Sequence, residues 1–300
     1  FRNYLGEAYL QFGEPINLNA LLKEYPLSDY SSEKDWLFKV TPVLGKKIMT
    51  TINDSTVVTS TALFSLAILN SDGFSISNRE LVSRIELLKS LLVEDKYSAK
   101  TLICEKTGEE IIDQMRKLGF LSKEDINDRI SLTNLEAAKL SFYRNNISHL
   151  LIFESLICGF FQYQKEIVKE DLLQSIKMIY PFLKEEFFLK WDEADLDQLI
   201  NLKLNKLINK NLILEDSNNY KRPDFKSREF YETQSLGKLV QPSIDRFYVL
   251  ISQLWKNSAE HISKNELERN SLEILKNLEK TQARLTPEFS EKWMFDVFLN

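Results

Sequence analysis

Apolar residues recur at helical spacing along most of the chain. The clearest run follows Ser77 and Glu80, which have the spacing of a capping box. It consists of Leu81, Ile85, Leu88, Leu91 and Leu92. Similar patterns predict helices over residues 18–25, 109–118 and 196–209, and a helix with Pro42 in its first turn that runs to about residue 53. With only 8 Gly and 7 Pro in 300 residues, the chain is predicted to be mainly α-helical.

Short apolar runs between these helices predict a few strands. Residues 7–12 precede a Gly-Glu-Pro turn and are predicted to form a strand at the start of the chain. Two of the helices are each followed by a pair of runs around a polar turn, residues 119–121 with 130–132 and residues 212–215 with 220–222. The sequence thus contains two units in which a helix is followed by a hairpin, and this order predicts winged-helix-like packing.

The charge balance argues against a nucleic-acid partner. The chain carries 39 Lys and Arg against 44 Asp and Glu, a net charge of −5, whereas binding to a phosphate backbone usually needs a basic surface. The two cysteines, Cys104 and Cys158, are far apart and form no CxxC pair. Two histidines are too few for a metal–histidine cluster, so neither a metal site nor a disulfide framework is expected.

Both ends of the sequence have features expected of a truncated chain. The chain opens at Phe1 without Met or a signal peptide, and residues 294–300 form an amphipathic run without a C-terminal cap. The most apolar stretch, residues 150–161, would span about 18 Å as a helix against a bilayer core of about 30 Å. We therefore expect a piece of a longer protein and no transmembrane segment within it.

Each histidine is followed five positions later by a glutamate, His149 by Glu154 and His261 by Glu266. This spacing is similar to the His-x4-Asp pair of glycerolipid acyltransferases, in which the histidine removes a proton from the acceptor hydroxyl. Both pairs lie in helical patterns, where five residues place the side chains about 140° apart. We therefore predict that neither pair shares a hydrogen bond and that neither is catalytic. The chain also contains no GxSxG, P-loop, GxGxxG or HExxH motif.

One dense group of polar residues interrupts the apolar helical stretch from residue 140 to residue 161. It consists of Tyr143, Arg144, Asn145, Asn146 and His149. Buried polar groups need hydrogen-bond partners, so this group is predicted either to brace a helix junction or to face a neighbouring domain. Bracing is the interpretation that we favour.

Three blocks of sequence carry a resemblance to a known family. They are YLQFGEPI at residues 9–16, SFYRNNISH at residues 141–149 and IYPFLKEEFFLKWD at residues 179–192, with TPEF at residues 286–289 as a weaker fourth. In this order and spacing they resemble the C-terminal part of the bacterial membrane-bound glycerol-3-phosphate acyltransferases. The likeness runs through almost the whole chain.

The resemblance implies a share in the first step of phospholipid synthesis. In that step an acyl group passes from acyl carrier protein (acyl-ACP) or acyl-CoA to the sn-1 hydroxyl of glycerol 3-phosphate, without a metal or a tightly bound cofactor. In the family the His-x4-Asp motif and the substrate-binding residues lie upstream of the strand that resembles residues 9–15. It follows that this chain holds no catalytic residue and is expected to be inactive alone.

The resemblance also implies an organisation and a location. Residues 1–25 correspond to the last strand and exit of a truncated α/β acyltransferase domain, and residues 35–300 to a helical C-terminal domain with a division near residue 164. The five polar residues from Tyr143 to His149 would hold that domain together or dock it on the missing one. The whole enzyme would lie peripherally on the cytoplasmic face of the inner membrane. The alternative is a self-standing helical interaction or regulatory module without catalytic activity.

Overall fold

The computed structural model describes residues 8–121, 128–256 and 262–281. Its first two helices begin at polar caps. α1 (Leu18–Glu24) follows Asn17, whose side chain accepts a hydrogen bond from the backbone N–H of Ala20, as the sequence predicts. α2 (Glu33–Asp54) follows Ser32, which caps the helix in the same way.

Residues 8–12, the described part of the strand predicted over residues 7–12, form no regular secondary structure. A strand needs a neighbour to complete its backbone hydrogen bonds. The strands of the described residues pair only with one another and leave residues 8–12 without a partner strand. The predicted strand is therefore wrong for residues 8–12, because no described strand lies beside them to form a sheet.

Pro42 lies inside α2 and not in its first turn, so the predicted helix start is wrong. The helix begins at Glu33 because Ser32 caps it and because acidic side chains at Glu33 and Asp35 suit the positive end of the helix dipole. Proline cannot donate a hydrogen bond to the carbonyl oxygen four residues earlier, at Phe38. Phe38 is on the exposed side of α2, where water can take the place of the missing donor.

The first winged-helix-like unit is built around a buried helix. It contains β1 (Val57–Val58), α3 (Ser60–Leu69), β2 (Ser75–Ser77), α4 (Asn78–Glu94), β3 (Leu102–Ile103), α5 (Gly108–Lys117), β4 (Arg129–Ser131) and α6 (Asn134–Ser148). α3 is buried along almost its whole length, and α4, α5 and α6 pack around it. The predicted capping box is confirmed: Ser77 Oγ accepts from the N–H of Glu80, and the Glu80 carboxylate accepts from the N–H of Ser77.

The first predicted hairpin is wrong. β4 pairs antiparallel with β2, with Ile130 opposite Ile76, and not with residues 119–121. Gly119 adopts a left-handed conformation with φ of +75°, and the N–H of Phe120 bonds back to the carbonyl oxygen of Met115. These residues therefore terminate α5 as a C-terminal cap and are not free to form a strand.

The second unit repeats the arrangement of the first. It contains α7 (Ile152–Phe160), β5 (Glu166–Val168), α8 (Lys169–Phe187), α9 (Leu196–Asn209), β6 (Leu214–Asp216), β7 (Asn219–Lys221) and α10 (Arg228–Gly237). Here the predicted hairpin is confirmed, because β6 and β7 pair antiparallel, and β5 adds to the other edge of β7. The mainly helical, winged-helix-like fold predicted from the sequence is thus confirmed.

Equivalent strand residues of the two units are about 90 positions apart. Ile76 faces Ile130 in the first sheet, and Ile167 faces Tyr220 in the second, 91 and 90 positions further on. Each unit has one hydrogen bond that closes its sheet at the start of the following helix. In the first unit the N–H of Asn78 donates to the carbonyl oxygen of Asp128. In the second unit the N–H of Lys169 donates to the carbonyl oxygen of Asn218, and both bonds measure 3.0 Å.

The third helices of the two units also end alike. The bond from Phe120 to Met115 after α5 is matched, 92 positions further on, by one from the N–H of Leu212 to the carbonyl oxygen of Leu207 after α9. Asn211, with φ of +55°, takes the left-handed position that Gly119 takes in the first unit. The shared strand register, closing bond and helix end show that the two units are an internal structural duplication.

Two C-terminal helices form a hairpin with a small core of its own. α11 (Gln241–Lys256) and α12 (Lys264–Thr281) pack together around Val249, Leu250, Leu267 and Leu275. A buried ion pair between Arg246 on α11 and Glu186 on α8 ties this hairpin to the second unit.

Candidate functional site

The five polar residues singled out by the sequence separate into three environments. Tyr143 and Asn146 line an open cleft. Arg144 donates two hydrogen bonds to the side-chain oxygen of Asn145, at 3.1 and 2.9 Å. His149 is buried at the end of α6. The structure therefore does not bring the five residues together as one site.

His149 lies between the end of α6 and the end of α2. Its Nε2 atom is 3.4 Å from the carbonyl oxygen of Asn53 and 3.3 Å from the hydroxyl of Thr56, and its ring meets the ring of Tyr97 edge-on with centroids 5.1 Å apart. Burial lowers the pKa of His149 to about 4. The imidazole is therefore neutral at pH 7, and its contacts join two helices.

Glu154 does not pair with His149, as the helical spacing predicts. Its carboxylate lies between Lys203, at 3.2 Å, and Lys206, and the ammonium of Lys203 also pairs with Asp95. Burial acts to raise the pKa of Glu154, but the two ammonium groups outweigh it and hold that pKa below its ordinary value. Of the second predicted pair, His261 lies outside the described residues.

An open cleft of about 660 Å³ lies where residues 8–13 cross the first unit. Tyr9, Gln11 and Gly13 form one side of it. The other side is formed by the end of α2, the start of α3 and parts of α5 and α6. The cleft has the size of a small-molecule site, and it is the concave surface that contains two of the five predicted residues.

Residues 9–13 present two different faces. Tyr9, Gln11 and Gly13 face the cleft, while Leu10 and Phe12 between them are 81% and 82% exposed. This alternation is that of an extended chain, in which successive side chains point to opposite sides. One side of the segment therefore belongs to the cleft, and the other presents uncovered apolar side chains.

The same segment is fixed on the helices by a close contact and an ion pair. A Cβ atom on Gly13 would lie 2.1 Å from the Cγ2 atom of Thr51 on α2, so a larger residue at position 13 would require the Thr51 side chain or the segment to move. One position further on, Glu14 forms an ion pair with Lys100. These two contacts hold the cleft wall formed by residues 9–13 against the helical part of the chain.

The cleft is polar but uncharged. None of the described residues that line it is acidic, basic or a histidine. The Nε2 atom of Gln11 and the hydroxyl of Ser55 are buried without a hydrogen-bond partner. The first turn of α3 adds the backbone N–H groups of Ser60 and Thr61, which have no acceptor within the helix, whereas the N–H of Ala62 donates to Thr59 Oγ1. Such a site can bind an uncharged ligand with hydrogen-bonding groups.

A family model described as glycerol-3-phosphate acyltransferase C-terminal region matches residues 1–300. The chain belongs to this family. Among similar curated proteins named glycerol-3-phosphate acyltransferase, that of Pseudomonas entomophila is 28% identical over 302 residues and covers 98% of the chain. Those of Xanthomonas campestris and Glaesserella parasuis are each 29% identical and cover 99% and 98% of the chain.

This C-terminal region accounts for only part of those relatives. The chain spans 36% of the length of the Pseudomonas entomophila protein, 35% of the Xanthomonas campestris protein and 37% of the Glaesserella parasuis protein. About two thirds of each relative is therefore not represented in the chain.

Several residues of the cleft were not singled out in the sequence. Gln11, Ser55 and Gln114 lie far apart in the chain. Gln11 is part of the YLQFGEPI block, and the other two belong to no motif. One signal for the first of them was present, because polar Gln11 alternates with apolar Leu10 and Phe12. The others come together only through tertiary packing.

Two kinds of feature are missing from the part of the chain that the structure describes. Within residues 8–121, 128–256 and 262–281, no three His, Cys, Asp or Glu side chains cluster in a way that could hold a metal ion. In the same ranges, none of the helices combines the length and apolar character that crossing a bilayer requires.

Proposed function

We propose that the chain is the C-terminal region of an enzyme that transfers an acyl group from acyl-ACP or acyl-CoA to the sn-1 hydroxyl of glycerol 3-phosphate. The observation that carries the proposal is the family match over residues 1–300, together with relatives that bear the name of this reaction. No metal and no cofactor takes part in the proposed reaction. The chain represents only 36% of such a relative, so the activity is assigned to the whole protein.

The proposed catalytic His-x4-Asp motif lies upstream of this chain, and the chain alone is inactive. His149 supports this placement, because it is buried, neutral at pH 7 and engaged with Asn53 and Thr56. Glu154 is held by two lysines and cannot orient an imidazole. The described residues that line the cleft include no aspartate, glutamate or histidine.

The exposed side of residues 9–13 is the proposed contact with the preceding domain. Leu10 and Phe12 are apolar and almost fully exposed, and they stand on the segment that leads toward residue 1. In this proposal residues 1–25 are the last part of that domain, so Leu10 and Phe12 pack against the rest of it. Residues 35–300 form the helical domain, with a division near residue 164. Tyr143, Asn146 and His149 brace the helices against which the segment lies.

The proposal extends to the location of the enzyme. The complete protein would bind peripherally at the cytoplasmic face of the inner membrane, where its lipid product is released. Membrane contact would be made by the parent protein, and no nucleic acid takes part.

The coding sequence upstream of Phe1 gives the first test. An in-frame His-x4-Asp motif is expected there, and the protein extended to include it should acylate glycerol 3-phosphate while the 300-residue chain should not. A start codon directly before Phe1 would support a self-standing interaction module instead. Acylation by the purified 300-residue chain would overturn the assignment of catalysis to upstream residues.

The docking contact is tested by substitution in the extended protein. Replacing both Leu10 and Phe12 by serine should lower acylation and thermal stability, because a buried apolar contact would be lost. Tyr163, which is 87% exposed on the second unit, provides the control, since Tyr163→Ser should change neither. If Arg144→Ala leaves stability, rate and substrate affinity unchanged, Arg144 has no bracing or docking role.

A further inference from the structure

The cleft contains two polar atoms that the described residues leave without a partner. Gln11 Nε2 is a hydrogen-bond donor, and the Ser55 hydroxyl can donate or accept. Both atoms are buried, and both residues line the cleft. A buried polar group without a partner costs free energy, so a ligand that supplies partners to both would be favoured.

The rest of the lining limits the class of that ligand. A phosphate or carboxylate would require lysine or arginine, and none of the described residues that line the cleft is either. The ammonium of Lys106, next to the cleft, donates to Gln114 Oε1 at 2.9 Å. A purely apolar ligand would leave the buried amide nitrogen of Gln11 without a partner. Ile52, Leu118 and Phe120 provide an apolar part of the wall. The ligand that fits is uncharged and carries both amide and apolar groups.

We propose that this cleft binds the pantetheine arm of an acyl-thioester donor. Pantetheine is an uncharged chain with two amide groups, hydroxyl groups and a geminal dimethyl group. Its amide carbonyl oxygens can accept from Gln11 Nε2 and from the N–H groups of Ser60 and Thr61 at the start of α3. Its dimethyl group suits the apolar part of the wall near Phe120. The identity of the donor rests on the proposed function, whereas the cleft and its chemistry belong to this chain.

The position of the cleft agrees with such a role. One of its sides is the segment of residues 9–13, which is also the proposed contact with the catalytic domain. Ligand sites occur preferentially where domains meet. The charged end of the donor, whether a nucleotide or a carrier protein, would remain outside the uncharged cleft.

Binding of pantetheine to the 300-residue chain tests the proposal directly. Titration under reducing conditions, followed by NMR or calorimetry, should show saturable binding with a Kd below about 1 mM. Adenosine 3′,5′-bisphosphate and inorganic phosphate should neither bind there nor compete. Gln11→Leu and, separately, Ser55→Ala should each weaken binding about fivefold, the effect of one lost hydrogen bond.

Leu10→Gln is the matched control, because this neighbour faces away from the cleft and should leave the affinity for pantetheine unchanged. A thermal melt of each variant identifies any loss of folding, and Ser55→Ala keeps the test decisive if Gln11→Leu is destabilised. The proposal is overturned if binding is not saturable, if Leu10→Gln weakens it as much as Gln11→Leu, or if the bisphosphate competes.

The two proposals fail separately. If the extended protein acylates glycerol 3-phosphate but pantetheine does not bind the chain, only the assignment of the cleft is wrong. If pantetheine binds but no His-x4-Asp motif lies upstream and no acylation is found, the cleft remains a pantetheine site and the proposed reaction is wrong.

Discussion

The buried charges around Glu154 give the sharpest test of how the two units differ. Glu154, Lys203 and Lys206 have side chains that are 1%, 4% and 4% exposed, and Asp95 completes a neutral group of four charges. The first unit has apolar or uncharged residues at the equivalent positions, 91 or 92 residues earlier. These are Leu63, Ile111 and Gln114.

Replacing Glu154 alone should be strongly destabilising. Glu154→Leu would leave two buried ammonium groups with Asp95 as their remaining carboxylate, and the Lys206 ammonium is 3.9 Å from it. Removing one partner of a buried ion pair costs about 3–5 kcal/mol. With an unfolding entropy of about 2.1 cal/mol/K per residue, this cost corresponds to a fall in Tm of about 5–8 °C for a chain of this length.

Replacing the whole group should be far less harmful. The triple variant Glu154→Leu, Lys203→Ile and Lys206→Gln copies the first unit and removes the unpaired charges together with the ion pair. Buried ion pairs replaced by residues that pack well are often neutral or stabilising. Asp95 is 25% exposed and can be hydrated by solvent. We expect the triple variant to melt within about 3 °C of the wild type.

Thermal unfolding followed by circular dichroism at pH 7 measures both effects. The control is Glu94→Gln, which breaks the 3.0 Å surface pair between Glu94, the last residue of α4, and Lys210, which directly follows α9. It should shift Tm by less than about 2 °C. The reasoning is refuted if the single Glu154 variant melts like the wild type. It is also refuted if the triple variant is no more stable than the single one.

Three further predictions follow from other contacts. Because the pKa of His149 is lowered to about 4, the unfolded chain binds an extra proton between pH 6.5 and pH 4. The free energy of unfolding should therefore fall by up to about 3 kcal/mol as the pH decreases through this window. In denaturant titrations at several pH values, His149→Gln should remove most of this decrease. Gly13→Ala should speed proteolysis of residues 8–16, because the added Cβ atom would clash with Thr51 Cγ2. Adding Thr51→Ser removes that Cγ2 atom and should reverse the effect. Unchanged cleavage in Gly13→Ala would contradict the contact. Arg246→Leu leaves the Glu186 carboxylate buried without its cation, so hydrogen exchange should rise in α11 and α12 first, and a uniform rise along the chain would contradict this.

Local chemistry explains which elements could be predicted from the sequence. The Ser77–Glu80 box and the Asn17 cap act within three residues, so their patterns are complete in the sequence. The predicted start of α2 is wrong because proline often occupies the first turn of a helix, so Pro42 indicates a start there. Ser32 is the actual cap, but the apolar pattern that follows it is less regular. The pairing of β2 with β4 joins residues more than 50 positions apart, and the sequence pattern favoured a nearby partner in residues 119–121.

The candidate site was predictable only in part for the same reason. Tyr143 and Asn146 were singled out because they are polar within an apolar stretch, and both line the cleft. The same signal also selected Arg144, which bonds to its neighbour, and His149, which is buried among structural contacts. A polar residue in an apolar segment indicates that a partner is needed, but the partner is decided by tertiary packing.

The two proposals for this chain are coupled through the segment of residues 9–13. Its Leu10 and Phe12 face would be covered by the preceding domain, and its Gln11 would contact pantetheine. Docking of that domain would fix the segment in the conformation that the ligand requires, so pantetheine should bind more tightly to the extended protein than to the 300-residue chain. By linkage, pantetheine would strengthen domain docking by the same factor. In the proposed enzyme, donor binding and attachment of the C-terminal region therefore stabilise each other.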